Sequence, residues 1–396
     1  MKRVTVIGMG LGAATITDAA RQAIERAEVI CGAPRVLSLY PQKLTRTYPC
    51  YLPQDVAAVI AKEQAQEFAV LVSGDTGFYS AAAGLAAELA AYDINFVPGI
   101  STVNAFFAQL KLPWQEAAFI SVHGRAVNVV DTIRRHRLTF CLSGNNINEI
   151  GAALSRANFG HIKVFIGENL GTEQERVYET VAECLTKAEY PLLNVLLFVN
   201  ETFDNSTPCG LPDSSFMRLA GLPMTKSETR AVILSKLNLR PSYICWDIGA
   251  GSGSVTVEMA LSAYLGKVYA VERRADALAL IQQNCAAFHL GNAVAVCGEA
   301  PALLETLPVP DAVFVGGSGG QIGAIVASVY QKNPQARLVV AAITIETVYL
   351  ALAAFKEADR EPEITQLSVS RAKPAGQLHL LEAQNPLFIL SAGAKP

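Results

Sequence analysis

Two α/β domains in tandem are predicted, on three observations. The 396 residues are 51% hydrophobic and only 17% charged, so the chain can bury large cores. Short apolar runs alternate with helical patterns along both halves. Between the halves, Asn200 to Ser215 reads NETFDNSTPCGLPDSS, with neither helical nor strand periodicity. That stretch is expected to be a linker. The expected domains are 1–205 and 206–396, in keeping with roughly 100–200 residues per domain.

The first half opens with a strand (Arg3–Ile7), a glycine turn (Gly8 to Gly12) and a helix near Thr15–Ala27. Strands are predicted at Glu28–Cys31, Phe68–Val72, Ile94–Val97, Leu138–Leu142, Ile162–Ile166 and Leu192–Val199. Helices are predicted at Gln54–Ala65, Tyr79–Ala91, Ser101–Leu110 and Asn146–Ala157. That alternation predicts a mostly parallel sheet covered by helices.

The second half begins with a helix, Lys226–Leu237. Strands follow at Tyr243–Ile248, Lys267–Val271, Ala293–Cys297, Ala312–Val315 and Arg337–Ala342. Helices follow at Ser254–Leu265, Ala275–Phe288, Ala300–Thr306, Gln321–Gln331 and Ile345–Glu357. Glu363–Ser370 and Gln377–Leu390 read as an antiparallel pair turning at Lys373 to Gly376. Five βα units with such an edge make a doubly wound, Rossmann-like sheet.

The formal net charge is −3, which gives no basic excess for nucleic acid. A bilayer span needs about 20 apolar residues in a row, and the best run, Leu338 to Phe355, contains Glu346. It reads as a strand followed by a helix. The N-terminus reads as a strand entering a glycine turn, so a cytoplasmic protein without membrane contact is expected. Eight scattered cysteines without a Cys-x-x-Cys pair suit reduced core residues, and no ligand spacing supports a metal site.

The strongest local signal is Trp246-Asp-Ile-Gly-Ala-Gly-Ser-Gly253 between a strand and a helix. Glycines there let the backbone turn and approach a ligand, and the helix start offers free N–H groups. Glu272 ends the next strand, where an acid commonly accepts from ribose hydroxyls. The spacing is G-x-G-x-G, with Ser254 where a dinucleotide site has its third glycine. S-adenosylmethionine suits this arrangement. NAD and a purely structural turn remain as alternatives. Gly298-Glu-Ala-Pro301 and Val315-Gly-Gly-Ser-Gly-Gly320 end the third and fourth strands and keep the same edge open.

Residues 222–390 resemble the decarboxylating precorrin methyltransferase domain of cobalamin biosynthesis. The resemblance rests on Leu222-Pro-Met-Thr-Lys-Ser-Glu-Thr-Arg230, Asp247 to Ser254, Val271-Glu-Arg273, Gly298 to Pro301 and Val313 to Gly320. It implies a class I S-adenosylmethionine-dependent fold. It also implies cofactor contacts from Thr225, Asp247, Gly249, Ala250, Gly251, Ser252, Gly253, Glu272, Glu299, Ala300 and Gly316.

The first half resembles the tetrapyrrole methylases, a two-lobed α/β fold using the same cofactor. The matching elements are Val6 to Gly12, Ser73-Gly-Asp-Thr-Gly-Phe-Tyr79, Val97-Pro-Gly-Ile-Ser-Thr102, Ser121-Val-His-Gly-Arg125 and Gly167 to Gly171. The resemblance implies cofactor contacts from Gly74, Asp75, Phe78, Ser101 and Thr102. Leu11 and Thr76 stand where that family often has proline, which is expected to alter loop stiffness and leave binding intact. Asp75 could alternatively cap a helix.

Two such halves in one chain resemble the fused precorrin-6Y C5,15-methyltransferases (decarboxylating). The resemblance implies methylation of precorrin-6B at carbons 5 and 15, with loss of the ring C acetate carboxyl to give precorrin-8X. The first domain would serve carbon 5, the second carbon 15 and the decarboxylation. It also implies a homo-oligomer, a dimer or a tetramer. Substrate carboxylates would meet Gly10, His123, Arg125, Arg230 and Arg371, with Lys226 and Lys373 as further cations. No nucleophile–base pair stands out, and the catalytic residues are left unassigned. An NAD(P)-dependent oxidoreductase and a non-catalytic scaffold are the rival readings. The first lacks its G-x-G-x-x-G, and the second predicts eroded glycine loops.

Overall fold

The computed structural model describes residues 1–39, 46–122 and 127–393. It divides into two compact units. The first comprises Met1–Arg125, Arg137–Glu149 and Ile162–Asn200; the second comprises Ala126–His136, Ile150–His161 and Glu201–Pro396. Within the second unit, Phe159 stacks on His289 with ring centres 4.1 Å apart.

The first unit contains two sheets. One is fully parallel, in the order Arg46–Tyr48, Val29–Gly32, Glu67–Val72, Arg3–Gly8, Asp93–Val97. Val4, Val6 and Val70 pack with Val56, Ile60 and Leu85 on one face. Ile7, Ala69 and Leu71 pack with Ala20 and Ile24 on the other. Burial on both faces explains why these strands read as continuous apolar runs.

The second sheet departs from the mostly parallel expectation. Its order is Ala117–Ser121, Leu138–Leu142, Asn194–Val199, Lys163–Glu168, Arg176–Val181. Only the first pair is parallel. Arg46–Tyr48, Ala117–Ser121 and Arg176–Val181 are strands that the sequence reading did not mark. They are short or half-exposed edge strands with little apolar run to announce them.

The second unit holds a seven-stranded sheet. Its order is Ala293–Cys297, Lys267–Glu272, Ile244–Ile248, Ala312–Val315, Arg337–Ala342, Leu387–Ala392, Glu363–Leu367. The first five strands are parallel, and Leu387–Ala392 runs antiparallel to both its neighbours. The order reverses between Ile244–Ile248 and Ala312–Val315, so the crevice of a doubly wound sheet lies beyond their carboxyl ends. The run from Leu338 to Phe355 is indeed a buried strand followed by the helix Ile345–Glu357. The expected 300–306 helix is a short 3-10 turn, Ala302–Thr306. The tail pairs in two ladders, because Ser370–Ala375 and Leu378–Ala383 form a separate hairpin. Lys373 therefore lies in a strand, and the chain reverses at Gly376 and Gln377.

The stretch expected as a linker ends inside the second core. Gly210 and Leu211 N–H groups donate to the Glu258 carboxylate at 2.6 and 3.0 Å. Arg230, with no exposed surface, donates from Nε to Glu258 Oε1 at 2.6 Å and from Nη1 to Asp213 Oδ1 at 3.0 Å. It also donates to the Thr225 and Leu211 carbonyls and stacks over Phe216. Buried charges persist when paired and hydrogen-bonded, and every element of this network meets that condition.

The structure places both expected substrate cations, Arg230 and Arg371, on carboxylates of the chain itself. Arg230 is walled in by its own partners and reaches no cavity. Arg371, on the hairpin, spends its guanidinium on Asp213, Glu228 and Ser227. That contact holds the Glu228 carboxyl down to about 2.

Replacing Arg230 by Met leaves Glu258 buried without its cation and Asp213 with Arg371 alone, at a cost of about 3–5 kcal/mol. Urea unfolding, read by buried Trp246 in a Trp114→Phe background, is expected to show a loss of that size. An unchanged midpoint with weakened substrate binding would return Arg230 to the substrate.

Candidate active site

In the second unit the site is built where the Ile244–Ile248 strand ends. Gly249 takes a φ of +69° and its N–H donates to the Val271 carbonyl at 3.0 Å. Gly316 and Gly317 N–H groups donate to Ile248 O at 2.9 and 3.3 Å. The two glycine loops therefore touch through main chain. A Cβ on Gly249 would lie 2.5 Å from Gly317 O and 2.7 Å from Gly317 N, so only glycine fits.

Beyond these loops is a cavity of about 400 Å³. Of the residues singled out from sequence, Thr225, Gly249, Ala250, Gly251, Ser252, Glu272, Glu299, Ala300 and Gly316 line it. Glu272 is buried at the wall. Its Oε2 accepts from the Gly251 N–H at 3.0 Å, and its Oε1 accepts from the Arg273 and Arg274 N–H groups at 2.9 and 3.0 Å. The carboxylate is thus fixed by backbone, and each oxygen keeps capacity for another donor.

Two expected contacts stand behind the wall. Gly253 packs against Ile281, so its part is to start the helix Ser254–Ser262 close to its neighbour. Asp247 is fully buried. Thr256 Oγ1 donates to its Oδ2 at 2.5 Å, while its Oδ1 meets no partner among the described residues. Burial pushes this carboxyl up to about 7. Arg273, Arg274, Ser318 and Gln321 also line the cavity, and sequence reasoning did not single them out as contacts. At the rim, Arg273 Nη1 lies 3.2 Å from Glu299 Oε1.

The first unit has its own cavity, of about 340 Å³. Gly10, Gly74, Asp75, Phe78, Ser101 and Thr102 all line it. Gly10 and Gly74 exchange a pair of main-chain hydrogen bonds at 3.0 Å. A Cβ on Gly99 would sit 2.3 Å from Gly74 O and 2.5 Å from Gly8 O. Three parallel strands of this sheet thus end in mutual backbone contact.

Asp75 caps no helix. Its Oδ1 accepts from Gly77 N–H at 2.7 Å and its Oδ2 from Gly99 N–H at 3.3 Å, which ties two of these loops together. The helix expected from Tyr79 begins only at Ala82. Ser101 caps the helix Thr102–Leu110 through Asn104. Arg35, which sequence reading missed, lies on the cavity wall and donates to Ser73 Oγ at 3.0 Å. It follows a short strand and a proline, with no motif around it. His123 and Arg125 lie outside the described residues.

Lys226 precedes the helix Ser227–Leu237, and exposed Lys373 lies 3.8 Å from Glu382 on its own hairpin. Among the described residues, no group of three His, Cys, Asp or Glu could hold a metal ion.

A precorrin-6Y C(5,15)-methyltransferase [decarboxylating] from Sinorhizobium is 30% identical over 387 residues, covering 94% of this chain and 92% of the relative. The chain belongs to this methyltransferase family. Two family models match in succession: tetrapyrrole (corrin/porphyrin) methylases over residues 3–186, and the precorrin methyltransferase domain over 219–393. A probable cobalt-precorrin-6B C(15)-methyltransferase (decarboxylating) from Pyrobaculum calidifontis is 39% identical, over 49% of this chain and all of its own length. A crystal structure of precorrin-6y C5,15-methyltransferase from Geobacter metallireducens is 34% identical over 47% of this chain and 97% of its own, with a TM-score of 0.45.

Members of this family are methyltransferases, and S-adenosylmethionine is the methyl donor that the sequence leads one to expect. The second cavity fits that molecule. Glu272 offers fixed acceptor capacity for ribose hydroxyls, and the glycine loops leave room for close approach.

Truncating Glu272 to Ala removes acceptors worth about 1.5–3 kcal/mol, or 10–100-fold in affinity. Calorimetric titration of the full chain with S-adenosylmethionine should show one site weakened by that factor and another unaffected. Wild-type affinity throughout would remove Glu272 from the cofactor.

Proposed function

We propose that the chain methylates carbons 5 and 15 of precorrin-6B and decarboxylates the ring C acetate, giving precorrin-8X. The first half, 1–205, serves carbon 5; the second, 206–396, serves carbon 15 and the decarboxylation. One observation carries the division of labour. Relatives spanning about half of this chain are named for carbon 15 and decarboxylation alone, and residues 219–393 match the precorrin methyltransferase domain. We further assign the chain to the cytoplasm and to a homo-oligomer. In support of a soluble setting, no helix among the described residues is long and apolar enough to cross a membrane.

The bound cofactor brings an activated methyl group, so the protein's work is positional. Glu272 would hold the ribose hydroxyls, and the glycine loops would leave room for the rest of the cofactor to approach the backbone. In each transfer a carbon of the reduced macrocycle would take the methyl in line as the sulfur–methyl bond breaks, the thioether would leave, and the ring would give up a proton, for a net gain of CH₂. In the decarboxylation, the bond to the departing carbon dioxide leaves its electron pair in the ring system, which then takes up a proton. The macrocycle is the electron sink, so the chain need not supply one.

Anaerobic turnover with precorrin-6B and S-adenosylmethionine, followed by mass spectrometry, tests this assignment. Each methylation adds CH₂, and decarboxylation removes CO₂. Gly99→Val, which disrupts the backbone contact of Gly99 with Gly8 and Gly74 beside the first cavity, should yield a product with one CH₂ gained and one CO₂ lost. Glu272→Ala should slow CO₂ loss and leave the other methylation. Loss of decarboxylation in the Gly99 variant alone would overturn the division.

A further inference from the structure

Three large apolar side chains of the second unit stand in the open at the carboxyl edge of its sheet. Ile343, Ile345 and Tyr349 are 77, 79 and 71% exposed. They follow the Arg337–Ala342 strand, at the start of the helix Ile345–Glu357. Ile345 and Tyr349 are four residues apart and so share a face of that helix.

Their place in the fold is what gives them meaning. Val315 pairs with Val340 in parallel register. The residues just beyond these two therefore leave the sheet side by side, about 4.8 Å apart. Beyond Val315 come Gly316, Gly317, Ser318 and Gly319, which line the cofactor cavity. Beyond Val340 come Ala341, Ala342 and then Ile343. Between the cavity and the exposed trio lies a ledge almost without side chains. A Cβ built on Gly319 or Gly320 would meet nothing within 4 Å.

A bare ledge flanked by apolar side chains suits a broad, flat, apolar ring face. Exposed apolar patches of this kind mark ligand or partner surfaces, and this one follows the strand next to the one whose end lines the cofactor cavity. The one charged group on the patch is Glu346, also exposed. We propose that Ile343, Ile345 and Tyr349 form the platform on which the tetrapyrrole macrocycle lies while carbon 15 is methylated. The ring's conjugated face rests on the two isoleucines and the tyrosine ring, and its carboxylate arms project past them into solvent. The proposal rests on the function assigned above.

The test uses charge at the most exposed position of the three. Ile345→Glu and Ile345→Lys are made in the full chain, and carbon-15 methylation is followed at varied precorrin-6B. Both variants remove the apolar contact, but a like charge against the carboxylate-rich substrate should raise KM about tenfold with Glu and clearly less with Lys. S-adenosylmethionine affinity and carbon-5 methylation, read in the same mixture, should hold. Equal effects of Glu and Lys, or no effect of either, overturn the platform. A particle mass changed by either variant, measured by light scattering, also overturns it, since a second copy then covers the patch. If the wild type fails to methylate precorrin-6B, the functional reading fails by itself. Uroporphyrin III binding by wild type and Tyr349→Ser then decides the platform: about tenfold weaker binding in the variant supports it, and equal binding refutes it.

Discussion

Past the ends of two neighbouring parallel strands, Gly249 lies so close to the Gly317 backbone that the first loop has no room for a side chain at that position. Everything at the second site follows from that contact. It turns the first loop back under the Val271 carbonyl, which brings the Gly251 N–H to Glu272. Glu272 in turn gathers two more N–H groups and stands fixed at the cavity wall. The acid, the open edge and the helix start are parts of one backbone arrangement, and a methyl-transfer site needs little else, because the cofactor carries the activation.

The first unit reaches the same end with a different sheet. Gly8, Gly74 and Gly99 converge through backbone, and Asp75 laces two of the loops together where Glu272 does the corresponding work in the second. Both cavities lie beyond the carboxyl ends of parallel strands, where strand ends diverge and backbone groups are left to meet a ligand. Two unrelated arrangements of strands thus answer one requirement: main chain brought to the surface without side chains in the way.

Much of this was legible in the sequence, because glycines at strand ends and an acid one strand later are local signals. Glu272, Gly251 and Thr225 fall on the cavity as expected, as do Gly74, Asp75 and Ser101 in the first unit. Arg230 was not legible. A cation next to a binding motif reads the same whether it faces substrate or is sealed in by Glu258 and Asp213, and those partners lie 28 and 17 residues away. The stretch around Asp213 looked like a linker for the same reason: its structure comes from bonds to a distant helix and not from its own periodicity. The second sheet of the first unit was misread because antiparallel edge strands such as Arg176–Val181 are half-exposed and carry no long apolar run. Arg35 gave no signal at all, since only folding brings it to Ser73.

The glycine contact can be probed by adding one carbon. Gly249→Ala puts a Cβ 2.5 Å from Gly317 O at a φ of +69°. Calorimetric titration of the full chain with S-adenosylmethionine, with Trp246 fluorescence as a check that the second unit stays folded, measures the consequence. The account predicts that one of two cofactor sites is lost and the other keeps its affinity. Two sites of wild-type affinity in the folded variant would contradict it.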